Sequence, residues 1–131
     1  MKSKVHSKLG LLVLMGFFFG STSFIFQSRV KVIFKNGTKE DFRELKVNIR
    51  GQKFSFFNLK SGEKTKPVTV PDTYGYCYAQ AITTKDTVTC QPIDYVGEVL
   101  YTKGRIVMNL IIKGNGKNRY LIIGTVFITE Q

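Results

Sequence analysis

Short runs of β-branched and aromatic residues, separated by turns rich in Gly, Asn, Asp and Pro, recur along the chain from residue 29 onwards. No helical period is sustained over the same part of the sequence. Counting the runs gives about seven or eight strands. We therefore expect an all-β fold, an Ig-like β-sandwich of two sheets with mostly antiparallel strands. The pattern also allows a closed barrel, but the sandwich fits the strand count better.

A hairpin is predicted over residues 45–59, with a two-residue turn at Gly51 and Gln52. This register sets Val47 opposite Phe56 and leaves Lys46, Asn48, Lys53 and Ser55 on the solvated face. The alternation of apolar and polar residues fails at Phe57 and Leu59. We expect a β-bulge near Phe56 that returns both side chains to the core.

The strongest hairpin signal lies in residues 105–128, with Asn115 and Gly116 at its centre. Pairing about this turn sets Leu110 opposite Leu121. Both faces are apolar over much of their length, so we expect the hairpin to be central or covered on both sides. Two shorter strands complete the set: residues 29–35, closed by Asn36 and Gly37, and residues 68–70, predicted to be an edge strand between two prolines.

The first 23 residues follow a different pattern. Lys2, Lys4 and Lys8 precede the apolar run Leu9–Phe19, and small residues follow at Ser21 to Ser23. This order is typical of a signal peptide, and we expect cleavage after Ser23 and export to the periplasm or the extracellular space. The alternative is an uncleaved anchor in the inner membrane, because residues 9–26 carry no charge. Residues 24–131 are then predicted to form a single domain.

The formal net charge of the chain is +11, and removing the three lysines of the N-terminal segment leaves +8. The basic residues are scattered among acidic ones. This indicates a solvated surface, or attraction to an anionic partner such as an envelope glycan. Another envelope protein is the further possible partner. Export makes nucleic acid an unexpected partner, and contact with a membrane is expected only through an uncleaved N-terminal segment.

Both cysteines, Cys77 and Cys90, lie in one predicted hairpin, "YGYCYAQAITTKDTVTC". A turn at Thr84 and Lys85 sets Cys90 opposite Ala79, whereas a turn one residue earlier would set the cysteines opposite each other. In a small exported chain, two cysteines first indicate a disulfide, which would contribute about 3 kcal/mol. Two buried free thiols are the alternative.

Catalytic chemistry has little support in the residue types. The single histidine is His6, in the N-terminal segment, so a nucleophilic cysteine lacks its usual base and a zinc site lacks ligands. We therefore expect no enzymatic activity, no metal and no cofactor. The remaining catalytic candidates are Asp94 and Glu98, which would serve a small carboxylate-dependent hydrolase acting on an envelope glycan. A role of Asp94 in its own turn is the simpler interpretation.

Three tyrosines, Tyr74, Tyr76 and Tyr78, recur with a period of two, and the hairpin register adds Tyr95 to the same face. Such a stripe is typical of a stacking platform for sugar rings or of a contact surface for another protein. It is also typical of one inner face of a sandwich, and we favour this second interpretation because Ile82 lies on the same side. These four tyrosines are the candidate binding residues.

The succession of "FNLKSGE" (residues 57–63), "YGYCYAQAIT" (residues 74–83) and "CQPIDYVGE" (residues 90–98) resembles short exported proteins of Bacteroidetes-like bacteria, which have no assigned activity. The resemblance covers about residues 30–112. It implies export and an all-β domain, and it implies no site. Many such proteins carry a lipid-anchored cysteine, which is missing after the apolar run here. We expect a non-enzymatic binding or structural module of the envelope or secreted space.

Overall fold

The structure is a computed structural model that describes residues 28–92 and 98–128. Eight strands account for most of these residues, and a short 3-10 turn covers Gly116–Asn118. In chain order the strands are β1 (Val30–Asn36), β2 (Phe42–Ile49), β3 (Gln52–Leu59), β4 (Val68–Val70), β5 (Tyr78–Ile82), β6 (Thr87–Cys90), β7 (Gly104–Lys113) and β8 (Tyr120–Ile128). The described residues contain no helix that is long and apolar enough to cross a bilayer.

The strands form two sheets of four. The first sheet has the order β4-β1-β7-β8, and the second has the order β3-β2-β5-β6. All named pairings are antiparallel except β1 with β7, which is parallel. The predictions of an all-β fold, two sheets and mostly antiparallel strands are confirmed.

One apolar core lies between the two sheets. Alternate residues of each strand point into it, as the period of two requires. The largest fully buried side chains include Phe34, Phe42, Leu45, Met108 and Leu110. Ala79 and Ala81, both at 0% exposure, supply the small inward positions of β5.

The cysteine hairpin has the register predicted for a turn at Thr84 and Lys85, with Ala79 opposite Cys90 and Ala81 opposite Val88. Thr83 fixes this turn. Its hydroxyl accepts the backbone N–H groups of Lys85 and Asp86 at 3.1 and 3.0 Å. Such local bonds compete with other turn positions and so set the register.

The other two hairpins pair two residues away from the predicted register. In β2–β3 the turn is formed by Arg50 and Gly51, with φ of 49° and 93°, so Val47 faces Phe54. In β7–β8 the 3-10 turn lengthens the connection, and Leu110 faces Ile123. A shift of two residues keeps each side chain on its predicted face, which is why the core positions were still predicted correctly.

The end of β3 differs from the expected bulge. Asn58 adopts a positive φ of 56°, a conformation that Asn tolerates better than most residues. Leu59 is buried against the core, whereas Phe57 stays outside with 67% of its surface exposed. The prediction that both side chains return to the core is therefore wrong for Phe57.

The last hairpin is only half covered. Strand β7 is central, as expected, but β8 is an edge strand of the first sheet. Val126, Phe127 and Ile128 are exposed at its end. The expectation of a central or fully covered hairpin thus fails for β8. The strand at residues 68–70 does lie at the opposite edge of the same sheet, as its flanking prolines predicted.

Asn36, the last residue of β1, is fully buried and connects the two sheets. Its side-chain amide donates to the carbonyl oxygens of Glu40 and Leu59 at 2.8 and 3.0 Å. Its Oδ1 accepts from the N–H and hydroxyl of Thr38 at 3.0 and 2.6 Å. Gly37 follows because a Cβ at that position would lie 2.2 Å from Oδ1 of Asn109.

We expect Asn36→Ala to lower the free energy of unfolding by about 3 kcal/mol, because it leaves two carbonyl oxygens and the Thr38 groups without their partner. Urea unfolding followed by circular dichroism would measure the change. Asn115→Ala, at an exposed loop position, is the control and should change stability by less than about 0.5 kcal/mol. Equal effects of the two substitutions would contradict the role of Asn36.

Candidate functional site

Tyr78 lies on the outer face of the second sheet. Its neighbours in sequence, Cys77 and Ala79, are buried in the core, so the alternation of β5 directs Tyr78 outwards, where it is half-buried. The favoured interpretation of the tyrosine stripe as an inner face of the sandwich is therefore wrong for this residue. The interpretation as an outward contact surface remains open for it.

The four tyrosines do not form one continuous stripe. Tyr74 and Tyr76 precede β5, and their rings stack at 5.8 Å with an interplanar angle of 13°. The guanidinium carbon of Arg50 lies 5.1 Å from the centre of the Tyr74 ring, and its Nε donates to Asp72 at 2.8 Å. Tyr95 lies outside the described residues. The structure thus brings together Tyr74, Tyr76 and Arg50. Tyr78 is the first residue of β5 in the second sheet.

Around Tyr78, the outward side chains of three strands form regular rows. One row crosses the sheet through Lys53, Asn48 and Tyr78. The next row passes through Ser55, Lys46 and Gln80. These six residues, which we name the open face, line a shallow hollow of about 450 Å³. Val47 and Phe54, whose neighbours in sequence belong to the open face, also line the hollow.

The open face combines three kinds of contact group. Tyr78 offers an aromatic ring, Asn48 and Gln80 offer amide donors and acceptors, and Lys46 and Lys53 offer positive charge. The ammonium of Lys46 lies 3.3 Å from a carboxylate oxygen of Glu44, which fixes it above the sheet. Asn48 accepts the N–H of Gly51 at 2.8 Å and so ties the row to the β2–β3 turn. The arrangement suits a polar, anionic ligand with a ring to stack on Tyr78.

Sequence reasoning found parts of this face but not the whole. The alternation in residues 45–59 already placed Lys46, Asn48, Lys53 and Ser55 on a solvated side. Tyr78 and Gln80 join them only because β5 pairs with β2 across the intervening β3 and β4. No local signal in the sequence indicates that pairing.

The two cysteines are free, and they are not at disulfide distance. Cys90 stands opposite Ala79, one pair out of register with Cys77, a register that was expected to allow a disulfide. The Cys77 thiol points into the core, with its sulfur 3.9 Å from that of Met108. The predicted disulfide is therefore wrong, and the alternative of free thiols holds.

Neither thiol is suited to nucleophilic chemistry. Burial, with a smaller contribution from Cys90, raises the pKa of the Cys77 thiol from 9.0 to about 12. Burial also raises the pKa of Cys90 above its ordinary value. Both groups stay protonated at neutral pH, whereas a reactive cysteine needs its thiolate stabilised.

Only one of the two carboxylates considered for hydrolysis lies in the part of the chain that the structure describes. Glu98 is exposed, and Asp94 lies outside the described residues. Within residues 28–92 and 98–128, no three Cys, His, Asp or Glu side chains are grouped so that they could hold a metal ion. The open face thus remains the arrangement with the clearest chemistry.

Comparison with known proteins adds no further constraint on the site. No protein-family model, curated protein or solved structure matches the chain.

The raised pKa of Cys77 predicts a loss of stability at alkaline pH. Below about pH 9 the thiol is protonated in both states and has no effect. Above that pH only the unfolded state releases the proton, so the free energy of unfolding falls by about 1.4 kcal/mol per pH unit until the folded pKa is reached. Urea titrations between pH 8 and about pH 11, with a reducing agent present, would measure this slope.

The matched variant is Cys77→Ala, which lacks the titrating group and should show a shallower decline over the same pH range. Tyr and Lys titration affects both proteins alike, so the difference between the two curves isolates Cys77. Parallel curves would show that the buried thiol is not responsible.

Proposed function

We propose that the protein is an exported, non-enzymatic binding module with an Ig-like sandwich fold, and that its open face binds an anionic glycan of the cell envelope. The observation that carries the proposal is the pair of rows Lys53–Asn48–Tyr78 and Ser55–Lys46–Gln80 on one outward surface. Export is supported by the signal-like pattern of the first 23 residues.

The chemistry of the rows favours a sugar over an apolar ligand. A tyrosine ring stacks on the apolar face of a sugar ring, and the phenol group remains hydrated. The amides of Gln80, opposite Lys46 on β5, and of Asn48, two residues along β2, suit hydroxyl groups, which both donate and accept. Successive rows are about 7 Å apart and neighbouring strands about 5 Å apart. The face is therefore broad enough for a short extended saccharide rather than a single ion.

The charge of the face favours an acidic saccharide. Two lysines flank the hollow, and Arg50 lies at its turn end beside the stacked Tyr74 and Tyr76. Glu44 pairs with Lys46 and Asp72 pairs with Arg50, so the three basic and two acidic side chains leave a net charge of +1. Carboxylate or phosphate groups on the glycan would meet this charge, which increases the association rate at low salt.

The test is binding of the purified full chain to an acidic polysaccharide, such as polygalacturonate, against neutral dextran. We expect binding to the acidic polymer that weakens with salt. Lys46→Gln combined with Lys53→Gln should lower affinity about tenfold, since two charge contacts are lost. Affinity electrophoresis or isothermal titration calorimetry would measure the change.

Two further variants separate the open face from general positive charge. Lys60→Gln with Lys113→Gln removes the same charge from exposed positions elsewhere and should leave affinity within about twofold of the unmodified chain. Tyr78→Ala should weaken binding about fivefold through loss of stacking, with the net charge unchanged. Equal losses from the two lysine pairs, or no loss from Tyr78→Ala, would contradict the proposal.

A further inference from the structure

Exposed apolar side chains are concentrated at one end of the first sheet. The described residues include seven exposed large hydrophobic side chains. Val126, Phe127 and Ile128 end β8, and Val99 and Leu100 directly precede Tyr101, whose ring contacts Phe127; we name these five the apolar end. The ring of Tyr101 stacks on Phe127 at 4.6 Å and holds the segment of Val99 and Leu100 beside β8. The patch is thus built by two separate segments that contact each other.

Basic side chains lie beside the apolar end, at the starts of β1 and β7. Arg29 and Lys103 are exposed beside the first residues of β1 and β7. Lys31 and Arg105 lie in the same cross-strand row as Ile128. Glu98 is the exposed acidic residue nearest in sequence. Apolar side chains ringed by Lys and Arg are the pattern by which proteins attach to an anionic lipid surface.

Strand β1 begins at this same end of the sandwich. Val30 pairs with Gly104, and Arg105 pairs with Ile128, so the start of β1 lies two strands from the end of β8. The preceding 27 residues include the apolar run Leu9–Phe19. The predicted membrane-targeting segment therefore precedes, in the sequence, the strand that begins at this end.

We propose that the apolar end lies against an anionic phospholipid bilayer. Leu100, Val99 and Ile128 reach the boundary between headgroups and acyl chains, and Arg29 and Lys103 contact lipid phosphates. This proposal is independent of the glycan-binding face, which belongs to the other sheet. It makes the folded domain itself a membrane-contacting unit, in addition to any attachment through the N-terminal segment.

A second copy of the chain, paired along the free edge of β8, is the competing occupant. Strand addition at an exposed apolar edge is a common mode of association. The basic residues beside the apolar end favour the lipid surface, because lipid phosphates neutralise their charge.

The test uses the full chain, which has no tryptophan. Leu100→Trp and Phe57→Trp each introduce a single fluorescent reporter, the first at the apolar end and the second at a more exposed site in the second sheet. Both are mixed with phosphatidylcholine vesicles, with and without phosphatidylglycerol, that contain brominated lipid. We expect strong quenching and a blue shift at position 100 with the anionic vesicles, and little quenching at position 57.

The comparison holds whether the N-terminal segment is cleaved or retained, because a domain tethered only by that segment would show no difference between the two reporters. Equal quenching at both positions, or none at position 100, would overturn the proposal. If the protein instead dimerises in sedimentation experiments, and Val126→Lys abolishes the dimer while Trp at position 100 stays unquenched, the apolar end is a subunit interface.

The charge contribution is tested in the Leu100→Trp background. Arg29→Gln with Lys103→Gln should raise the lipid concentration for half-maximal quenching about 20-fold, because each basic residue near an anionic surface contributes about fivefold to the affinity. Lys39→Gln with Lys60→Gln removes the same charge near the opposite end of β1, and should have an effect of less than about twofold. Equal effects of the two pairs would exclude a defined orientation on the membrane and overturn the proposal.

Discussion

The rest of the structure depends on the buried strand β1. It pairs antiparallel with β4 and parallel with β7, and its inward residues Val30, Val32 and Phe34 are fully buried. After its last residue, Asn36, the chain crosses to β2 in the second sheet. Because that side chain sits in the interior, each of its polar atoms needs a partner, and the partners come from the connection to β2 and from the end of β3. The relative position of the two sheets is thus set by a polar group within an apolar core.

The sequence predicts the inward positions well, because the period of two is a property of the strand and not of its partner. Val47 was placed on the correct face, opposite to the solvated Lys46 and Asn48, even though its predicted partner was wrong. The register itself depends on turn geometry. Thr83 signals its turn through local hydrogen bonds, whereas Arg50 adopts a positive φ that its residue type does not indicate. Asn36 and Gly37 are typical of a turn in the sequence. In the structure, Asn36 is a buried hydrogen-bonding residue, and Gly37 leaves room for the side chain of Asn109.

The sites were less predictable than the core. Pairing of β5 with β2 skips two strands along the chain, so the meeting of Tyr78 with Asn48 and Lys53 has no local signal. The cysteines show the opposite case: their register was predicted correctly, but general experience of exported proteins suggested a disulfide. The two cysteines form no disulfide: Cys90 faces Ala79, and the Cys77 thiol points towards the sulfur of Met108. Details of side-chain direction at the end of a strand are not contained in residue spacing.

The parallel pairing of β1 with β7 also has a consequence for the order in which the protein folds. The four strands of the second sheet lie between residues 42 and 90 and are joined in part by tight hairpins, so their contacts are local. Strand β1, in contrast, gains its central neighbour only when residues 104–110 are present. Contacts between such distant segments form slowly, because a long loop must close first. The first strand of the chain therefore waits longest for its central partner, and its apolar residues stay without that neighbour until most of the chain has been made.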